Sequence, residues 1–317
     1  MNTGGSRRSG SGAQTAPTAA HLGPVRAFVL GARPRTLPAA LVPVAVGTAV
    51  AWWWLGLYHI EWWRAVAALV VAFGVQVGTN YANDYSDGVR GTDEVRVGPV
   101  RLVASGLATP RAVAFASMVA FGVAAVAGLL LAAYTSWWLV AVGAACMAAG
   151  WLYTGGPKPY GYMGLGELFV FCFFGVVATC GSAYVQGVGF STTGFHIALV
   201  ASVAVGMLAS ALLEANNLRD LSGDAIAEKR TLAVRFGRRR GGIFYVATLL
   251  AAAISVVIIA ALERPSALLA LLALPLAISP SQLALGDNEG RELLPMLAGT
   301  ARLQLCAGAL LAVGMLI

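Results

Sequence analysis

The length of its uncharged runs limits most strongly what this chain can become. Residues 36–60, 65–83, 241–262 and 265–286 contain no Asp, Glu, Lys or Arg, and two longer gaps, 112–157 and 168–213, run for 46 residues each. A helix needs about 20 apolar residues to cross the hydrocarbon of a bilayer. Each shorter gap therefore holds one spanning helix and each longer gap a pair, with tight hairpins at Thr135-Ser136 and around Val188-Gly189. Adding segment 295–316, interrupted only by Arg302, the expectation is nine transmembrane helices in an all-α, polytopic membrane protein. Charged residues make up 11% of the chain, where a soluble domain carries about 25%. That is too little charge to cover a water-facing surface, and the abundance of Leu, Val, Phe and Trp excludes a disordered or fibrous chain.

The net charge of +7 reflects where the basic residues stand rather than a nucleic-acid partner. With a cytoplasmic N-terminus, 19 of the 21 Lys and Arg fall in loops on that side and only Arg64 and Arg264 lie opposite, as the positive-inside rule requires. Trp52, Trp53, Trp54, Trp62, Trp63, Trp137 and Trp138 gather at the outer boundary as an interfacial belt. Low Lys with high Ala, Gly and Arg suggests a bacterial genome rich in G and C, and so the bacterial plasma (inner) membrane. Residues 1–24, rich in Gly, Ser, Ala and Thr, read as a disordered polar tail, leaving 25–317 as one transmembrane domain. No cleavable signal is expected, since the first helix can serve as the insertion signal. Cys146, Cys172, Cys180 and Cys306 lie in apolar stretches without metal-ligand spacing and read as small apolar side chains.

The acids are concentrated. Eight of the fourteen fall in two windows, Thr79–Glu94 and Glu214–Thr231, at the cytoplasmic ends of the second and sixth apolar segments. In the first, Asn80, Asn83, Asp84 and Asp87 stand at i, i+3, i+4 and i+7, one helical face, with Asp93 beyond. In the second, Asn216, Asp220 and Asp224 stand at i, i+4 and i+8, and Asn83 with Asp87 repeats as Asn216 with Asp220. Matched polar stripes continuing from apolar helices suggest two facing half-sites lining a cavity. Two acidic sets repel each other unless hard divalent cations sit between them, and Mg²⁺ completes its shell with phosphate oxygens. The arrangement therefore predicts a Mg²⁺-bridged diphosphate, with Arg90, Arg96, Arg101, Arg219, Lys229 and Arg230 at hand to neutralise it. A third loop, Tyr153–Glu167, is shaped by Gly and Pro and carries Lys158, Tyr160, Tyr162 and Glu167.

On these residues the chain resembles the UbiA-type intramembrane aromatic prenyltransferases. Asn83-Asp84-x-x-Asp87 is similar to that family's first Asp-rich motif, and Asn216 through Asp220 and Asp224, followed by Lys229-Arg230-Thr231, to its second. The segments Ala32–Ala49, Gly91–Gly106, Tyr153–Glu167 and Thr231–Gly237 look like those of the 1,4-dihydroxy-2-naphthoate polyprenyltransferase branch of menaquinone biosynthesis. In two places the chain departs from the pattern. Gly91 occupies a slot that is often Asp, and Glu228 one that is often Gly.

The resemblance implies a UbiA-like bundle of nine helices with an Asp-rich cap facing the cytoplasm. It implies Mg²⁺-dependent transfer of a polyprenyl chain to 1,4-dihydroxy-2-naphthoate with loss of diphosphate and CO₂. It casts Asp84, Asp87, Asp93, Asp220 and Asp224 as metal ligands, with Asp84 and Asp87 also catalytic. Asn80, Asn83, Asn216, Arg96, Arg101, Arg219, Lys229 and Arg230 would bind substrate, and Lys158 or Tyr160 would orient the naphthoate or handle protons. Two alternatives remain at this level: another aromatic acceptor such as 4-hydroxybenzoate, or a secondary transporter, in which paired half-motifs also occur.

Overall fold

The computed structural model describes residues 23–92 and 101–317; the expected disordered tail, Asp93 and Arg96 therefore lie outside or almost outside the described residues. A short amphipathic helix, α1 (Pro24–Gly31), precedes the first long one, α2 (Pro38–Leu55). Then come α3 (Trp62–Arg90), α4 (Pro110–Tyr134), α5 (Trp138–Leu152) and α6 (Gly166–Val185). The chain continues through α7 (Thr193–Ile226), α8 (Leu232–Leu262), a 3₁₀ segment Pro265–Ala273 leading into α9 (Pro275–Leu285), and α10 (Leu294–Leu316). The hairpin turns at Thr135-Ser136 and Val188-Gly189 fall where the uncharged gaps place them.

Among the described residues seven helices are long and apolar enough to span a bilayer, and Pro265–Ala273 with α9, bent by 51°, makes an eighth if taken as one crossing. The expected ninth, α5, has 15 residues, short of the roughly 20 a crossing needs. The reason is local. The 112–157 gap counts Tyr153–Pro157 as helix because it carries no charge, but Gly155 and Gly156 turn the chain there instead. At 1.5 Å per residue, α3 and α7 reach about 43 and 51 Å, beyond the roughly 30 Å hydrocarbon. The overhanging ends carry the two acidic windows. Gly91, at φ 72°, closes α3 in the left-handed conformation that glycine adopts without strain.

Helix pairing follows small residues. α3 packs along α4 and α7 along α8, while α10 lies against α2. A Cβ on Gly175 would come within 2.6 Å of the Gly206 Cα, so α6 and α7 cross backbone to backbone, the contact available to helices that gain nothing from burying apolar side chains away from lipid. Around it the interior is mostly Ala and Val: Val46, Val50, Ala183, Ala198, Ala201 and Val205 are buried together. Phe171–Val177 within α6 is a π-helical turn, which rotates Phe173 and Phe174 onto the wall of the cavity described next. The four cysteines are free thiols.

Candidate active site

A cavity of about 680 Å³ runs between the helices. One end is polar, walled by Asn80, Asn83, Asp87, Asn216, Asp224 and Lys229; the other is apolar, walled by Val71, Leu131, Val142, Phe173 and Val177. Along α3 it extends from Asp87 to Ala68, about 28 Å at 1.5 Å per residue.

The polar stripe of α3 divides between two jobs. Asn80 donates to the Ala32 carbonyl at 2.9 Å and to Thr36 Oγ1 at 3.2 Å, pinning the entry to α2. Asn83 Oδ1 accepts from Thr154 Oγ1 at 2.8 Å. Asp87 Oδ1 accepts from the Tyr162 hydroxyl at 2.6 Å, and its Oδ2 lies 3.2 Å from Lys229 Nζ. Asp84 is turned elsewhere. It is fully buried, and its two oxygens accept the backbone N–H groups of Leu102 at 2.8 Å and Val103 at 3.1 Å. At about 100° per residue, Asp84 sits at the edge of the stripe, a quarter turn or more from Asn83, where the chain entering α4 meets it. In this geometry Asp84 anchors that loop.

On α7, Asn216, Arg219 and Asp224 line the cavity, and Asp220 does not. Both Asp220 oxygens accept from Arg219, Nε and Nη2 each at 2.7 Å, in a buried two-pronged pair. The pair braces an arginine that faces the cavity. Beyond α7, Glu228 takes a left-handed backbone at φ 57°. A non-glycine pays roughly 1–2 kcal/mol for that conformation, which accounts for the glycine common at this position in the family it resembles. The turn swings Lys229 back so that its backbone N–H reaches the Asp224 carbonyl at 2.8 Å while its ammonium crosses to Asp87.

The third loop supplies the roof. Tyr160 stacks on Phe169 with ring centroids 4.0 Å apart, its ring lines the cavity, and its hydroxyl donates to the Ala149 carbonyl at 2.8 Å. Burial raises its pKa above the ordinary tyrosine value, so it keeps its proton. Tyr162 is likewise raised, by burial first and then by the neighbouring Asp87 charge, and stays a donor. Lys158, expected beside the acceptor, is exposed and off the cavity wall; Pro157 and Pro159 direct it outward. Arg230 is also exposed; its backbone N–H donates to the Tyr162 carbonyl at 2.9 Å and its carbonyl accepts from Arg235 Nε at 3.1 Å. Arg101 is buried and lines the cavity as expected.

Sequence spacing misses several residues on this wall. Arg33, in a left-handed backbone at φ 54°, lines the cavity from the turn before α2. Thr154 and Tyr162 reach it from the loop, and Asn217 from α7. Asn217 also donates to the buried Glu167 at 2.8 Å. Only Tyr162 and Glu167 carry a signal in the sequence, as polar groups in a Gly- and Pro-shaped loop.

Among the described residues no three His, Cys, Asp or Glu side chains gather closely enough to cage an ion. Asp87 and Asp224, one from each long helix, are the carboxylates on the polar wall. That donor set suits Mg²⁺, which takes one or two carboxylates and fills its shell with water and phosphate oxygens. It does not suit a closed structural site.

A multi-pass membrane protein with a charged chamber opening into a long apolar shaft is built to hold an amphiphile with an anionic head and a hydrocarbon tail. Residues 40–314 match the UbiA prenyltransferase family, and the chain belongs to it. It is 50% identical over 273 residues, 86% of this chain and 91% of the relative, to the 1,4-dihydroxy-2-naphthoate octaprenyltransferase of Mycobacterium tuberculosis. It is 32% identical to the enzyme of that name from Escherichia coli, over 91% of this chain and 94% of the relative. The fold is shared with a UbiA homolog from Archaeoglobus fulgidus bound to DMAPP and Mg²⁺, with a TM-score of 0.59 at 16% identity over 90% of this chain and 99% of that one.

Proposed function

We propose that this protein transfers a polyprenyl chain from polyprenyl diphosphate to 1,4-dihydroxy-2-naphthoate, releasing diphosphate and CO₂ and forming the hydroquinone demethylmenaquinol, the reduced form of demethylmenaquinone, for menaquinone biosynthesis. The observation that carries this reading is the single cavity whose polar end joins Asp87, Asp224 and Lys229 and whose shaft is apolar. Relatives of that name at 50% and 32% identity support the acceptor.

Asp87 and Asp224, with Asn83 and Asn216, would hold Mg²⁺, which when bound draws electron density onto the diphosphate and weakens its ester bond. The chain's own groups do the rest. Lys229, Arg101 and Arg219 face the polar end and receive the negative charge that grows on the leaving diphosphate. The allylic C–O bond breaks with its electron pair going to diphosphate, and the electron-rich ring attacks the allylic carbon. The ring carbon that bonds to the prenyl group then loses its carboxylate as CO₂, and that bond's electron pair restores the aromatic ring. Val142, Phe173 and Val177 keep water from the allylic cation.

The tail needs a path from the bilayer. α5 packs on α3 and α4, and α6 on α2 and α7, while both helices line the cavity; the seam between them is the proposed entry. Counting α5 and the bent Pro265–Leu285 pair as crossings gives nine passes. The 19-to-2 distribution of basic residues then supports a cytoplasmic N-terminus with the site facing the cytoplasm.

The test is mass spectrometry of the product made by the purified protein from 1,4-dihydroxy-2-naphthoate, a defined prenyl diphosphate and Mg²⁺, beside 4-hydroxybenzoate. The expected product is the prenylated, decarboxylated naphthalene-1,4-diol. Prenylation of 4-hydroxybenzoate alone, or transport of prenyl diphosphate without covalent product, refutes the reading.

A further inference from the structure

Three segments far apart in the chain meet at one side chain, Tyr162. Its hydroxyl donates to Asp87 Oδ1 at 2.6 Å, across 75 residues of sequence. Its ring lies under two cations, with Lys229 Nζ 4.7 Å and the Arg90 guanidinium 5.7 Å from the centroid. Both distances fall within cation–π range. Lys229 in turn reaches Asp87 Oδ2 at 3.2 Å, so phenol, ammonium and carboxylate form a closed triangle at the polar end of the cavity.

A tether for the loop is not a sufficient reason for that phenol. The loop is already fixed by its backbone: the Tyr162 carbonyl accepts from the Arg230 N–H at 2.9 Å, and the Met163 carbonyl from Arg235 Nη2 at 2.8 Å. The hydroxyl and the ring act on Asp87 and Lys229 instead. A carboxylate has two oxygens and rotates about its Cβ–Cγ bond. A strong donor on Oδ1 stops that rotation and fixes which oxygen faces the chamber.

We propose that Tyr162 is a positioning residue of the diphosphate-binding end: by holding Asp87 Oδ1 it presents Oδ2 toward Lys229 and a divalent cation, and by carrying Lys229 over its ring it keeps the ammonium beside that oxygen. Two half-sites on α3 and α7 are thereby set in register by a residue that belongs to neither. The proposal rests on the reading of this cavity as a Mg²⁺–diphosphate site.

Tyr162→Phe keeps the ring and removes the hydroxyl; Tyr162→Leu removes both. The full-length protein in detergent is titrated with Mn²⁺ in the presence of inorganic pyrophosphate, and bound Mn²⁺ is followed by electron paramagnetic resonance. Groups that orient a metal ligand typically contribute about 10–100-fold to metal affinity. Tyr162→Phe is therefore expected to raise the Mn²⁺ half-saturation about tenfold, with its thermal midpoint preserved. Tyr162→Leu is expected to raise KM for prenyl diphosphate as well. An unchanged half-saturation in Tyr162→Phe, or a fall in kcat with half-saturation unmoved, overturns the proposal and leaves the functional reading standing. Failure of the parent protein to retain Mn²⁺ with pyrophosphate overturns the functional reading and this proposal with it.

Discussion

Replacing Asp84 with Asn tests how the acidic end of α3 is organised. The Asp84 carboxylate is fully buried and receives two backbone N–H groups, from Leu102 and Val103, at 2.8 and 3.1 Å. An amide in its place has one oxygen that can accept and one NH₂ that cannot. One bond is lost outright, leaving a buried N–H facing a second donor, and the other changes from charge-assisted to neutral. Hydrogen bonds to charged groups contribute about 1.5–3 kcal/mol and neutral ones about 1, so the change costs about 2–4 kcal/mol. At a few degrees per kcal/mol for a sizeable chain, the midpoint falls by roughly 5–10 °C. The assay pairs heating of the detergent-solubilised protein, read by the fraction that still elutes as a monodisperse species, with a Mg²⁺ titration of prenyl transfer. Asp84→Asn is expected to melt earlier with its Mg²⁺ half-saturation unchanged. Asp87→Asn is expected to melt close to the parent while its Mg²⁺ requirement rises about tenfold or more. An Asp84→Asn protein that melts like the parent but demands more Mg²⁺ would show that this carboxylate serves the metal, not the loop.

Two further substitutions follow from the same geometry. Lys158→Met is expected to leave kcat and KM for both substrates unchanged, because the ammonium is exposed and away from the cavity; a tenfold fall in naphthoate turnover would return Lys158 to the site. Gly175→Val is expected to destabilise the α6–α7 crossing by about 1–3 kcal/mol or more, since even a Cβ would stand 2.6 Å from the Gly206 Cα; an unaltered thermal midpoint would refute that close approach.

Much of the site is legible in the spacing of the acids, and what spacing leaves open has a common cause. The i, i+3, i+4, i+7 pattern rightly puts Asn80, Asn83 and Asp87 along one wall. The same pattern groups Asp84 with them, because a helical face is about 100° wide and its edges meet different neighbours. Asp220 is similar: its direction follows from its position on α7, but its pairing with Arg219, its own chain neighbour, is visible only as a contact. Lys158 and Tyr160 look alike as polar groups of one loop. Only the fold turns the first outward and stacks the second on Phe169.

What the sequence alone determines is what the bilayer enforces. Uncharged length and the placement of arginines define a multi-pass helical protein, and the acids at the overhanging ends of two helices fix where its polar chemistry lies. The tertiary structure decides which groups touch. Tyr162 reaches Asp87 across 75 residues of chain, Lys229 reaches it from the turn after α7, and Leu102 and Val103 meet Asp84 from 18 and 19 residues further on. Periodicity sets a side chain's direction about its own helix axis. Its partner is set by how separate helices pack, through small-residue contacts such as Gly175 on Gly206 that no local pattern encodes.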